Sequence, residues 1–173
     1  MTAMLLAPLP VASVLLLVLF AVLPWGGPDW LEMALALVPI SAIYFWSLHR
    51  PRLMPAAAIF VLGLVIDVMT QGALGIWASA ALAAGLAGRL ARRSRMHLGW
   101  ARRAAFASAA LAIATGLVAG ATSIYGWQIV PARPILEAFV VACLIYPVLA
   151  ALLSAADRCW PGTDGRSLFM RGD

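Results

Sequence analysis

From Leu5 to Ala155 the chain is a succession of apolar runs broken only by short polar stretches. A helix that crosses a bilayer needs roughly 20 mostly apolar residues. The runs lie at about 5–23, 31–48, 53–69, 74–90, 104–125 and 135–155. This pattern predicts an all-α polytopic membrane protein: a domain of six transmembrane helices over residues 1–156, then a polar C-terminal tail, 157–173. Composition points the same way, with 64% of residues hydrophobic and 11% charged. A soluble domain carries roughly 25% charged residues. Six spans consume about 120 residues, so no soluble domain fits in the remainder of the 173. A catalytic site would have to lie within the spans or on short loops.

The first run lacks the basic start of a signal peptide, and "PWGGPDW" after it offers no small-residue cleavage site, so it reads as a retained helix. Trp25 and Trp30 suit a membrane interface. Pro39, inside the second run, predicts a kink. Neighbouring spans show no internal repeat of the kind that marks an inverted-repeat transporter.

All 12 basic residues are arginine, and their placement predicts orientation. Arg50, Arg52, Arg89, Arg92, Arg93, Arg95, Arg102, Arg103, Arg158, Arg166 and Arg171 fall in the second–third loop, the fourth–fifth loop and the tail, against Arg133 alone on the other side. Cytoplasmic loops carry the excess of basic residues. Both termini are therefore expected in the cytoplasm. The same rule explains the basic balance without a nucleic-acid partner. The basic loop can also hold anionic lipid headgroups, at about 1 kcal/mol per residue near the surface.

Asp67 stands in "FVLGLVIDVMTQGALG", otherwise close to pure hydrocarbon. A carboxylate at the bilayer centre costs about 2.5–3.5 kcal/mol on insertion scales. Fifteen residues beyond Arg52, Asp67 would lie roughly 22 Å along its helix, in the outer leaflet. Three roles fit it there: a cap for the free N–H groups opening the fourth helix across the Gly72 turn, a contact with a partner's membrane segment, or a proton or ion relay. Arg133 and Glu137, one helical turn apart beyond Pro131, are expected on the same side. They fit either an ion pair within one helix or a polar cluster in which Arg133 is the counter-ion of Asp67.

Spans four and five are rich in alanine and glycine. Gly116 with Gly120, and Ala84 with Gly88, form the small-xxx-small spacing that lets helices approach closely. Packing inside the bundle is the expected use, and docking of another chain the alternative. His49 and His97 read as solvated loop residues, and Ser13, Ser41, Ser79 and Thr115 as bonding back to their own helices. Cys143 and Cys159 should lie at different depths, which disfavours a disulfide. No nucleophile–base pair, metal-ligand spacing or phosphate loop stands out. The expectation is a protein with no catalytic residues, no metal and no cofactor.

The stretch "RPRLMPAAAIFVLGLVIDVMTQGALGIWA" resembles the rod shape-determining protein MreD family of bacteria. That family commonly shows Arg-Pro, a further Pro, Phe-x-x-Gly-Leu-x-x-Asp, a Gly, and Pro-Leu-Gly. The matching positions are Arg50, Pro51, Pro55, Phe60, Gly63, Leu64, Asp67, Gly72, Leu74 and Gly75, with Ala73 where the family has proline. The resemblance implies a fold similar to the six-helix substrate-binding subunits of energy-coupling-factor vitamin transporters. It implies a non-enzymatic scaffold of the elongasome that supports lateral peptidoglycan synthesis and cell shape. The implied partner is MreC, with RodA, a class B penicillin-binding transpeptidase and MreB reached through the complex. The alternative is a substrate-binding subunit of such a vitamin transporter, which needs several polar groups converging on a small molecule.

Overall fold

The computed structural model describes residues 8–23, 26, 28–70, 73–93, 100–126 and 131–159. Within them the chain is all-α, with six helices: α1 (Pro8–Val22), α2 (Asp29–His49), α3 (Ala56–Met69), α4 (Ile76–Arg93), α5 (Trp100–Gly126) and α6 (Ala132–Cys159). Each of the six apolar runs contributes one helix.

Side-chain ties fix the directions. Trp46, near the end of α2, donates its indole N–H to Ser13, near the start of α1, at 3.0 Å, so these helices are antiparallel. Arg50, just past α2, pairs with Asp157 at the end of α6 at 3.0 Å, and Arg92 at the end of α4 donates to the carbonyl of His49 at 2.9 Å. The C-terminal ends of α2, α4 and α6 therefore gather at one end of the bundle, which is strongly basic. The start of α2, the end of α3 and the start of α6 gather at the other, where a cavity of about 310 Å³ is lined by Glu32, Met69 and Thr70 among others.

α2 is the hub and packs against α1, α4, α5 and α6. Of its apolar window 72% is buried, against 33% for α5 and 17% for α6. Trp46, Leu37, Ile40 and Ile43 of α2 are among the largest fully enclosed side chains. The apolar window of α6 is more hydrophobic than those of α2 and α5, yet Leu136, Val140, Leu144, Val148 and Leu152 stand exposed along it. An exposed apolar face of that length needs lipid or another protein against it.

Three helices are long and apolar enough to cross a membrane: Trp30–His49, Ala104–Tyr125 and Ala132–Arg158. α3 is shorter than the run that contains it. Residues 51–54 form a turn, and Pro55, with φ −65° and ψ 155°, opens the helix. Its 14 residues rise about 21 Å. α4, α5 and α6 instead outrun their apolar stretches, because hydropathy marks where the oil stops and a helix continues while its ends are satisfied. Arg92 and Arg93 close α4, where the helix dipole favours cations. Asp157 and Arg158, expected in the tail, belong to α6, which reaches Cys159. His49, expected in a loop, is the last residue of α2, its ring stacked on Phe45 with centroids 4.2 Å apart. Cys143 is a free thiol. His97 lies outside the described residues.

Candidate functional site

The α3–α4 junction is built around one carboxylate. The residues before α4, Ala73, Leu74 and Gly75, carry no side chain able to cap it. Asp67, one turn before the end of α3, supplies the acceptor from a distance. Its Oδ1 accepts the Trp77 N–H at 2.8 Å; its Oδ2 accepts the N–H of Gly75 at 2.9 Å and of Ala78 at 3.3 Å. The amides of Ile76 and Ser79 bond to the carbonyls of Ala73 and Gly75, so every free donor that opens α4 has a partner. Thr70 closes α3 by donating its hydroxyl to the Ile66 carbonyl at 2.9 Å.

Two glycines let the junction close. Gly63 lies one turn before Asp67 on the same face, and a side chain there would collide with the backbone of Ala78. Gly75 holds φ at +101°, a region that residues with a side chain rarely enter. Gly63, Asp67 and Gly75 thus converge on the first turn of α4. Gly72, the other glycine of the motif, lies outside the described residues.

Asp67 is 0% exposed. Its carboxylate meets three N–H groups and the positive end of the α4 dipole, and among the described residues no cation takes part. The counter-ion expectation for Arg133 is therefore corrected. Arg133 shares this end of the bundle but pairs along its own helix with Glu137 at 2.8 Å, standing well exposed beside Trp30 on an open groove. A helical i,i+4 partner is always within reach, whereas Asp67 is enclosed by its own hairpin. That enclosure also leaves the carboxylate no surface for a partner to touch directly.

The other motif residues take separate places. Arg50 makes the α2–α6 tie. Pro51 lines a pocket with Arg89, Arg92 and Arg93, and Pro55 precedes α3. Phe60 and Leu74 are 44% and 68% exposed. The motif therefore runs from the basic end to the junction, with Asp67 buried, Arg50 half-buried, and Pro55, Phe60 and Leu74 turned out.

Gly116 and Gly120 require a second correction. Among the described residues neither has any atom within 4 Å of where a side chain would start, so this GxxxG pair packs against none of them. Gly116 instead floors an apolar groove between α5 and α6 of about 490 Å³ with Ala112, Leu136 and Phe139. The Ala84–Gly88 pair does pack inward: a side chain at Gly88 would come within 2.7 Å of the Tyr44 carbonyl, and one at Gly85 within 2.7 Å of Ile59. Sequence reasoning missed Gly85 and the Arg89 guanidinium, which donates to the Met54 carbonyl at 2.7 Å. Position gave a signal for Gly85, since with Ala81 and Gly88 it continues one small-residue face of α4.

No family model, curated protein or solved structure matches this chain. The reading of the site rests on its own geometry.

Proposed function

We propose that this chain is a non-enzymatic, MreD-like scaffold in a bacterial inner membrane, with six membrane-embedded helices and both termini cytoplasmic. In this reading it binds MreC, serves the elongasome through RodA, a class B penicillin-binding transpeptidase and MreB, and so supports cell shape. The observation that carries the proposal is the use made of Asp67. The chain's most conspicuous buried charge is consumed in fixing a helix junction, so the motif's product is a shape. Outside that shape stands Leu74, on a turn whose glycine-dependent backbone leaves room for a neighbouring helix.

The test is co-purification with MreC from membranes. Leu74→Ala removes the exposed side chain and leaves the backbone, while Gly75→Leu forces a side chain into the φ +101° conformation at a cost of about 1–3 kcal/mol. Both variants are expected to insert normally and to lose MreC. Unchanged recovery of MreC with both overturns the assignment.

A vitamin-transporter subunit would have to hold its substrate in the cavity of about 310 Å³ between α1, α2 and α3, where Glu32 and Thr70 stand among apolar side chains. Mass spectrometry of small molecules released from the purified protein separates the two readings, because the scaffold releases no stoichiometric metabolite.

A further inference from the structure

At the basic end of the bundle, the turn between α2 and α3 and the last turns of α4 enclose a pocket of about 430 Å³ lined by Pro51, Arg89, Arg92 and Arg93. Three guanidinium groups in one pocket repel one another unless an anion sits among them. The only carboxylate seen at this end among the described residues, Asp157, is engaged by Arg50. Arg89 gives one N–H to the Met54 carbonyl, and Arg92 gives one to the His49 carbonyl. These bonds hold both side chains in place while leaving further donors on each, since a guanidinium carries five. One of those left over, the Nε of Arg89, is buried without an acceptor. A buried donor with nothing to bond is unfavourable, and at Nε the Arg89 guanidinium still lacks a partner among the described residues.

We infer that this pocket is a binding site for a phosphate group. Planar guanidinium forks match the oxygens of phosphate, and the volume falls in the range of about 300–1,000 Å³ typical of small-ligand sites. Two neighbouring arginines from the last turn of α4 face a backbone turn that immobilises one of them. That arrangement suits a phosphate on a larger body, such as a phospholipid headgroup, where basic pockets between helices meet the membrane surface. A soluble phosphate compound presents the same chemistry.

The full-length protein is reconstituted in phosphatidylcholine nanodiscs with and without phosphatidylglycerol, and lipid retained on release is read by native mass spectrometry. Retention of phosphatidylglycerol is expected to fall about fivefold for each of Arg92→Gln and Arg93→Gln, matching about 1 kcal/mol per basic residue. Arg93 makes no structural bond within the described residues, so its variant keeps the fold. Arg158→Gln removes a charge from the same end, next to the Arg50–Asp157 pair and at a residue that does not line the pocket, and is expected to leave retention unchanged. In a parallel arm, inorganic phosphate is added to detergent-purified protein. Stabilisation of the wild type that Arg93→Gln abolishes identifies a soluble phosphate as ligand, and selective lipid retention alone identifies a headgroup. Equal losses in Arg158→Gln and Arg93→Gln, or no difference from wild type in either arm, overturn the site.

Discussion

Asp67 needs no cation because the backbone supplies what a counter-ion would. Two of its acceptor contacts are 2.8 and 2.9 Å long, in the range of charge-assisted bonds, and the donors are the very groups that have no partner at the start of a helix. The exchange is mutual: the carboxylate is neutralised by α4, and α4 is capped by α3. Asparagine at this position keeps the shape but must turn an NH₂ group toward amide donors. Asp67→Asn is therefore expected to lower stability by about 2 kcal/mol, given about 1.5–3 for a hydrogen bond to a charged group. Thermal unfolding in detergent reads this, with Arg133→Ala as the comparison. If Arg133→Ala destabilises wild type but not the Asp67→Asn protein, Arg133 is coupled to Asp67 after all. The sequence announced that an acid was present in an apolar run and that a cap was one use for it. The structure makes that use of it, and what the sequence left open is which three of those amides the carboxylate reaches, since amides carry no sequence signature.

At the scale of helices, the same small-residue spacing has two fates. On α4 it lies against α2 and α3; on α5 it faces outward. Periodicity finds a face, but in a soluble protein the polar face says which way is out, and a helix that is apolar all round lacks that cue. That is why the six helices were legible and their interfaces were not. The difference predicts opposite responses to added volume. Gly88→Ala puts a methyl group against the Tyr44 carbonyl, and overpacking of this kind costs about 1–3 kcal/mol. Gly116→Leu meets open space and is expected to leave the melting temperature of the isolated protein unchanged. Equal destabilisation by the two changes would show that α5 is packed through its glycines. The hub position of α2 was equally hidden: its run is no more apolar than that of α6, yet α2 is enclosed and α6 is not. The more apolar of the two is the one left exposed.

Across the whole molecule, charge and length together constrain how the bundle sits. α3, at about 21 Å, is shorter than a hydrocarbon core of roughly 30 Å. Set with its basic end at a membrane surface, it would bring the α3–α4 junction to a depth where water is scarce. Irregular backbone is tolerated there only when buried in protein with its polar groups satisfied, and the enclosed Asp67 carboxylate with the three amides it accepts from meets that condition. The charged ends then define the orientation. Arg50, Arg89, Arg92, Arg93 and Arg158 share one end, and Arg133 stands at the other beside Trp30. In the orientation proposed above, that basic end faces the cytoplasm. Single cysteines introduced as Arg133→Cys and Arg158→Cys, in a background of Cys143→Ala and Cys159→Ala, report this directly. A thiol reagent that cannot cross membranes is expected to label position 133 on intact spheroplasts and position 158 only after permeabilisation. Labelling of position 158 from outside would reverse the orientation and move the arginine pocket to the external surface. Labelling of both positions from one side would place both ends of α6 on the same face of the membrane, and the bundle would then lie along the bilayer instead of across it.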